Sequence, residues 1–399
     1  MRPVGDAAMC QGTLPVMDMS LDTEQQAMRD TVRRWVDDVV APKALENDRL
    51  ERFPEEALDG LRDLGLLGLT LPEQYGGGGA DPFTYVLAVE ELARGDSNVR
   101  SIVSVHLGLV GGSVARWGTD AQKEQWLPRM ASGEVLGCFA LTEPDAGSDP
   151  ASLRATAERT VDGWRINARK IFITNGTIAG LALVMARTGG PGARGVSAFL
   201  VPTDTPGFKA TKIHGKLGLR SCDTAELALD DVVVPEDALL GGEEGTGIKV
   251  ALSALDDGRI SLAASCVGLA QNALEVMVRY TSERSQFGKP IASHQLVQEL
   301  IADTAVELDC GRLLTWRAAD LKARGEKYTL AASKAKYYAS EMSVRAANNC
   351  LQAHGGYGYI DEYPPGKLLR DARVTTLYEG TSQIQKLIIG RHLTGVSAF

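Results

Sequence analysis

The stretch WRINARKIFIT, residues 164–174, alternates apolar and polar residues over most of its length. Such alternation is typical of a β-strand with one buried face, because successive side chains point to opposite faces of the sheet. Three more stretches, residues 181–186, 196–201 and 225–234, are short and apolar or alternating, and Gly, Pro and Asp separate them. No helical pattern of useful length lies between these strands, so a parallel sheet of strand–helix–strand units is not expected. The sequence predicts a β-domain over residues 136–246.

Helical patterns precede this β-rich region. From residue 21 onward apolar residues recur at spacings of three and four, and Thr23 with Gln26 predicts a capping box at the start of the first helix. Similar patterns continue at residues 55–69, 83–94 and 121–130. The glycine run at residues 76–79 predicts a loop. We therefore expect a tail over residues 1–20 and an N-terminal helical domain over residues 21–135.

The helical period returns after the β-rich region. It covers four long stretches, residues 247–282, 292–323, 329–354 and 380–393. This pattern predicts a helical bundle over residues 247–399. The order along the chain is helical, then β, then helical, without an internal repeat, so we expect an α+β multi-domain protein.

Length and composition limit the class of protein. With 399 residues, the chain exceeds the size at which one hydrophobic core usually stops growing, so two or three cooperating units are expected. The net charge of −9 gives no overall attraction for nucleic acid. The six cysteines form no CxxC pair and have no histidine at metal-ligand spacing, which predicts reduced thiols and no metal site. Without a signal-peptide pattern or a run of about 18 apolar residues, we expect a cytoplasmic protein that does not enter a membrane.

The glycine-rich segment GGEEGTG, residues 241–247, follows a strand and precedes a helix, which is the context of a dinucleotide-binding loop. The third glycine of that fingerprint would fall at Val250, and two glutamates would repel a pyrophosphate. We interpret the segment as a loop between domains.

Five other segments carry residues suited to binding a cofactor. LTEPDAGSD, residues 141–149, ends a predicted strand with hydroxyls and backbone N–H groups that suit a flat heteroaromatic ring and a phosphate. KIFITNG, residues 170–176, places an aromatic and a hydroxyl on one strand face, and RSQFGKP, residues 284–290, puts an arginine just past a helix, where it can meet phosphate. QAHGGYG, residues 352–358, and LYEGTSQIQ, residues 377–385, flank a helix-breaking stretch. Each segment alone is equally consistent with a strand edge, a helix cap or an ordinary turn.

In this order and at these separations, the segments resemble the acyl-CoA dehydrogenase family, and the resemblance covers residues 21–399. It implies an N-terminal helical domain, a middle β-domain and a C-terminal four-helix bundle, the same order as the sequence patterns. It also implies an FAD held between the middle and C-terminal domains without a Rossmann unit.

The resemblance implies two groups of flavin contacts. The first group matches the family's contacts to the isoalloxazine, the ribityl chain and the pyrophosphate: Phe139, Leu141, Thr142, Ser148, Phe172, Thr174, Thr381 and Gln383. The second group matches residues that reach the FAD of a neighbouring subunit: Arg284, Phe287 and Gln352 to Gly356, including Gly355 and Gly356. The resemblance therefore also implies a homotetramer, with an electron-transfer flavoprotein as the electron acceptor.

Glu379 matches the family's catalytic base, which removes the α-proton of a CoA thioester while the flavin takes a hydride from the β-carbon. Some family members carry the base at the position of Gly258, which has no side chain to do this, so the assignment to Glu379 gains support. Asp256 and Arg259 match residues near the CoA pantetheine and nucleotide, with a salt bridge at a helix end as the alternative. Ser148 is also a candidate substrate contact.

The substrate tail is less clear from the sequence. DSNVRSIVS, residues 96–104, resembles the segment of glutaryl-CoA dehydrogenases whose Arg and Ser receive a distal carboxylate, here Arg100 and Ser104, and GRHLTGVSAF at the end of the chain resembles that subgroup too. Against it, Ala93 replaces an accompanying Glu, and the segments KLGLR, residues 216–220, and RDAR, residues 370–373, resemble short-chain members. Alternatively, Arg100 caps a helix end or faces solvent. We expect a short or branched acyl-CoA first and a dicarboxylic acyl-CoA second.

Two other classes share the fold. A flavin oxidase or monooxygenase would use the same FAD segments, but the intact segment at residues 378–381 argues against a monooxygenase, which does not need the base. A flavin-containing nucleic-acid-binding relative needs a basic surface, which the net charge of −9 disfavours.

Overall fold

The computed structural model describes residues 20–398, so most of the expected tail over residues 1–20 lies outside the described part. The N-terminal region consists of helices, as the sequence predicts. They are α1 Thr23–Trp35, α2 Ala41–Leu50, α3 Glu55–Asp63, α4 Pro82–Gly95, α5 Ser97–Val103, α6 Gly112–Trp117 and α7 Asp120–Ala131. Two π-helical stretches, Val36–Val40 and Ser104–Gly111, join α1 to α2 and α5 to α6.

Two details of this region differ from the prediction. The capping box of α1 uses Asp22 and Gln25 instead of Thr23 and Gln26, because the Asp22 carboxylate, one residue earlier, accepts from the Gln25 backbone N–H at 2.8 Å. The helix predicted over residues 55–69 ends at Asp63. Gly65 follows with a φ of 66°, a left-handed conformation that stops a helix.

The middle region is a seven-stranded sheet. Its strands are β1 Gly137–Ala140, β2 Thr156–Thr160, β3 Gly163–Thr174, β4 Leu181–Arg187, β5 Val196–Pro202, β6 Phe208–Lys212 and β7 Thr224–Val234. The order across the sheet is β1-β4-β2-β3-β7-β6, with β5 paired to β4. Only the pairs β1–β4 and β2–β4 are parallel among the described strands, and no α-helix lies between their members along the chain. The expectation that strand–helix–strand units are absent is therefore met.

The C-terminal region is a bundle that surrounds one long helix. Its helices are α8 Gly247–Glu283, α9 Gln295–Ala323, α10 Thr329–His354, α11 Pro365–Val374 and α12 Ser382–Thr394, and a small hairpin, β8 Ser285–Gln286 with β9 Lys289–Pro290, follows α8. The most apolar window of α8 has a mean hydropathy of 1.3 and is 72% buried, because α4, α9 and α10 pack around it. This apolar helix is therefore the core of the bundle.

Helix α11 lies in the stretch that the sequence analysis interpreted as helix-breaking, so that interpretation is wrong. Pro365 occupies the first turn of α11, where the missing N–H of proline costs nothing and its fixed φ favours a helix. The helix then ends just before residues 375–381, which form the loop that carries Glu379 to the surface of α8.

Candidate active site around Glu379

Glu379 lies in the loop between α11 and α12 and has an unusual backbone conformation. Its φ is 55°, in the left-handed region that residues other than glycine seldom adopt, and Gly380 follows with a φ of 85°. Thr381 then caps α12, since its hydroxyl accepts from the Ile384 backbone N–H at 3.2 Å. The strain at Glu379 persists only where surrounding contacts hold the backbone.

The carboxylate of Glu379 points at α8. A Cβ at Gly258 would lie 2.2 Å from the Oε2 atom of Glu379, so any side chain there would displace the carboxylate. The Oε2 atom itself is buried without a hydrogen-bond partner. Gly258, which cannot be the base because it has no side chain, thus leaves the space that the Glu379 carboxylate occupies.

Burial makes Glu379 a much weaker acid than an exposed glutamate. Desolvation raises its pKa to about 7, against the opposing effect of the buried cations Arg100, Lys336 and Arg259. A carboxylate with a pKa near neutrality can both accept and release a proton at physiological pH. Desolvation therefore outweighs three positive charges at this site.

Arg100 is only 2% exposed, so the alternative that it caps a helix end or faces solvent is wrong. Its Nη2 donates to the hydroxyl of Tyr378 at 3.0 Å, and its Nε has no partner. Within residues 20–398 no carboxylate lies within ion-pair distance of its guanidinium. Burial alone would lower the pKa of Arg100, but Tyr378 and Glu379 hold it above its ordinary value. This cation therefore has donor capacity that the described residues leave unused.

Ser104 lies one helical turn after Arg100 and belongs to a buried group of hydroxyls. Its Oγ is 2.8 Å from the Oγ of Ser261, which is 3.1 Å from the hydroxyl of Tyr85. Sequence reasoning missed Ser261 and Tyr85. Ser261 follows Gly258 by three residues on α8, so the helical spacing was the available signal.

Asp256 and Arg259 form a salt bridge, which Thr329 extends by donating to the Asp256 carboxylate at 2.8 Å. The alternative interpretation, a salt bridge at a helix end, is correct in part. The two residues do pair, but they lie inside α8 and not at its end. The Nε of Arg259 is buried without a partner. Their roles toward CoA stay predictions.

Two residues that the sequence analysis did not single out hold the Glu379 loop. Lys336 of α10 is fully buried, and its Nζ donates to the carbonyl oxygen of Gly380 at 2.8 Å. The Nε2 of Gln385 lies 3.1 Å from the carbonyl oxygen of Glu379 and 3.0 Å from that of Gly380. For Lys336, the signal available in the sequence was a lysine at a buried position among the small residues of α10.

The segments 141–149 and 170–176 are joined to each other. The Ile171 backbone N–H donates to the carbonyl of Thr142 at 3.0 Å, and the buried Lys170 ammonium contacts the Glu143 carboxylate at 2.8 Å. A bulge between Lys170 and Ile173 gives Phe172 a φ of 61° and leaves it 66% exposed. Of the other predicted flavin contacts in these segments, Ser148 is exposed, Thr174 is partly exposed, and Phe139 and Leu141 are buried.

Most of the second group of predicted flavin contacts lines one open cleft of about 530 Å³. Arg284, Gln352, Gly355 and Gly356 line it together with tyrosine side chains, and the Arg284 guanidinium lies over the Tyr357 ring at 5.6 Å. Phe287 lies outside this lining, 93% exposed on the hairpin that follows α8. Gln383 lines a separate cleft of about 250 Å³.

Comparison with known proteins gives matches over nearly the whole chain. Family models described as the acyl-CoA dehydrogenase N-terminal, middle and C-terminal domains match residues 22–134, 138–232 and 245–394. An acyl-CoA dehydrogenase of Bacillus subtilis is 43% identical over 94% of this chain and 100% of its own length. The mitochondrial short-chain specific acyl-CoA dehydrogenase of Bos taurus is 40% identical over 94% of this chain and 91% of its own length.

The same similarity appears among solved structures. A glutaryl-CoA dehydrogenase of Mycobacterium smegmatis, solved in complex with FADH2, superimposes with a TM-score of 0.90 at 39% identity. The match covers 95% of this chain and 96% of that one.

Proposed function

Because the chain belongs to the acyl-CoA dehydrogenase family, we propose that it oxidises a short or branched acyl-CoA thioester to the 2-enoyl-CoA with Glu379 as the base. The observation that carries this proposal is the Glu379 carboxylate, whose Oε2 is buried without a hydrogen-bond partner and whose pKa is raised to about 7 by desolvation. Such a carboxylate has a free oxygen and is basic enough to accept one proton from a substrate.

The residues of this chain account for the proton transfer. The α-proton of a thioester is far less acidic than an exposed carboxylic acid, so the site must favour the enolate that forms when the proton leaves. The backbone N–H of Glu379 donates to no other group among residues 20–398, which leaves it available for the thioester carbonyl. An N–H that already points at the developing negative charge stabilises it without reorganisation. Glu379 then holds the transferred proton.

The residues present fit an FAD. Phe172 offers an exposed aromatic ring on the strand that also carries Thr174 and that bonds to the backbone of Thr142, and Arg284 offers a guanidinium in an open cleft. These groups suit a flat ring system and a pyrophosphate, respectively. When bound, FAD supplies the acceptor for the hydride that leaves the β-carbon of the substrate.

A dicarboxylic acyl-CoA such as glutaryl-CoA is the second candidate substrate. Arg100 favours it, because a buried guanidinium with an unpartnered Nε suits an anionic substrate group, and no carboxylate of residues 20–398 lies within ion-pair distance of it. Ser104, one turn away, adds a hydroxyl. Ala93 lies where the glutaryl enzymes carry a Glu, which favours the first candidate.

The cellular location, the oligomeric state and the electron acceptor are also part of the proposal. We propose a cytoplasmic homotetramer that passes electrons to an electron-transfer flavoprotein and binds neither nucleic acid nor membrane. The exposed Arg284 and Phe287, which match contacts to a neighbour's FAD, support the oligomer.

Anaerobic titration of the purified flavoprotein with butyryl-CoA, isobutyryl-CoA and glutaryl-CoA tests the proposal. We expect the flavin absorbance to bleach with butyryl-CoA or isobutyryl-CoA, and Glu379→Gln to abolish this bleaching. Rapid reoxidation of the reduced enzyme by oxygen in the presence of product would instead indicate a flavin oxidase. A protein that cannot be reconstituted with FAD would contradict the proposal.

A further inference from the structure

The buried ammonium of Lys336 calls for an explanation. This side chain is fully buried, and its only hydrogen bond within the described residues goes to the carbonyl of Gly380 at 2.8 Å. No carboxylate lies within ion-pair distance of it in the described part of the chain. Burying a cation without a paired anion destabilises a fold, so a residue retained at this cost is a candidate for a functional role.

Lys336 and Gln385 both contact the backbone of residues 379–380. The Gly380 carbonyl accepts from both, and the Glu379 carbonyl lies within hydrogen-bond distance of Gln385 alone. This backbone has a φ of 55° at Glu379, which costs free energy and relaxes unless contacts oppose it. The two side chains therefore oppose the relaxation that would turn the Glu379 carboxylate away from Gly258.

We infer that Lys336 and Gln385 are positioning residues for Glu379, and that Lys336 in addition supplies positive charge that favours the ionised form of the Glu379 carboxylate. The inference rests on the proposed role of Glu379 as the base. Lys336 and Gln385 themselves act through the loop and are assigned no contact with substrate.

The charge of Lys336 acts among several other groups. The groups that face Glu379 or Lys336 are Tyr85 of α4, Arg100 of α5, Arg259 and Cys266 of α8, Glu341 of α10 and the neighbouring Tyr378. Arg100 donates to Tyr378, and Arg259 pairs with Asp256. Lys336 has no side-chain hydrogen-bond partner among residues 20–398, and burial lowers its pKa to about 8, so it remains largely charged at pH 7.

The two contacts allow two matched variants. Lys336→Met puts an unbranched, uncharged side chain, one heavy atom shorter, in place of the lysine, while Gly380 still accepts from Gln385. Gln385→Met removes both donated hydrogen bonds without changing a charge, while Gly380 still accepts from Lys336. Lys334→Met, on the same helix at a partly exposed position, is the control for losing a lysine.

The measurement is the second-order rate constant of anaerobic flavin bleaching by butyryl-CoA between pH 6 and pH 9, with the holoenzyme. We expect both Lys336→Met and Gln385→Met to slow bleaching about tenfold to a hundredfold at pH 7, because the base is less well placed. Only Lys336→Met should also move the midpoint of the pH profile, upward by about one unit, because a nearby cation no longer favours the carboxylate. Lys334→Met should change neither quantity.

Flavin content and thermal stability separate this role from a structural one. Replacing an unpaired buried cation by an apolar side chain should leave the melting temperature of Lys336→Met equal or higher, although the enzyme is slower. Wild-type rate and midpoint in Lys336→Met would overturn the inference, and a slower rate with an unmoved midpoint would overturn its electrostatic half. Should Lys336→Met fail to retain FAD, a wild-type rate in Gln385→Met would overturn the positioning role. Normal bleaching by Glu379→Gln would instead overturn the proposed function.

Discussion

Residues of a single chain bury the groups around Glu379, whereas the cleft around Arg284 is open. Around Glu379 three cations and a group of hydroxyls are buried together with its Oε2 atom, and desolvation changes the acidity of the carboxylate. The Arg284 cleft is open, holds about 530 Å³ and carries tyrosine rings and a guanidinium on its walls. Desolvation within one chain thus sets the chemistry of the Glu379 region, whereas the Arg284 cleft offers binding groups to another molecule.

Replacing the base should have the largest effect. Glu379→Gln keeps the shape of the side chain and removes the proton acceptor, so we expect flavin bleaching by acyl-CoA to fall by several orders of magnitude. FAD retention should be unchanged, because the Arg284 cleft is untouched. Stopped-flow bleaching and the flavin spectrum measure the two quantities, and bleaching near the wild-type rate would mean that another residue is the base.

Arg100→Ala tests whether the buried surroundings of Glu379 recognise an anion. If the guanidinium pairs with a substrate carboxylate, its loss should cost about 2–5 kcal/mol in the apparent binding of glutaryl-CoA. Binding of butyryl-CoA should change little. Equilibrium titration with both thioesters measures the difference. Equal losses, or a wild type that does not turn over glutaryl-CoA, would reject the carboxylate-binding role.

Arg284→Ala tests the open cleft. Losing a charge-assisted hydrogen bond to a phosphate should weaken FAD retention by about 1.5–3 kcal/mol and weaken the oligomer with it. The bleaching rate per bound flavin should stay near wild type, because the surroundings of Glu379 are intact. Flavin content and analytical ultracentrifugation are the measurements. Full FAD occupancy in a monomeric protein would contradict this view of the cleft.

The smallest expected effect is on stability. The pKa of Glu379 is raised from 4.5 to about 7, so folding favours its protonated form and the penalty for burying the carboxylate grows as pH rises from about 4.5 through 7. Glu379→Gln lacks this penalty. Its melting temperature, relative to wild type, should therefore be a few degrees higher at pH 8 than at pH 5. A difference that does not change with pH would show that Glu379 titrates normally.

Much of the fold could be predicted from local patterns. The predicted helices over residues 247–282 and 329–354 match α8 and α10 to within one residue, because long helices repeat their apolar spacing many times. The short strands β2 and β6 were not predicted, since five residues carry too little pattern. The helix α11 was missed because the stretch between residues 358 and 377 was interpreted as helix-breaking, although Pro365 favours the first turn of a helix.

The order of helical and β regions, the acyl-CoA dehydrogenase family and the candidate residues on each motif could all be predicted from the amino-acid sequence. The order of the regions follows from periodicity, whereas the family and the candidate residues follow from the resemblance of short motifs to those of known proteins. The folded structure was needed to show that Arg100 is buried, that Gly258 faces Glu379 and that Lys336 donates to the Gly380 carbonyl. Each of these facts joins helices and a loop far apart along the chain. The pKa of Glu379 belongs with them, because desolvation depends on every element packed around a side chain and no local stretch of sequence contains that information.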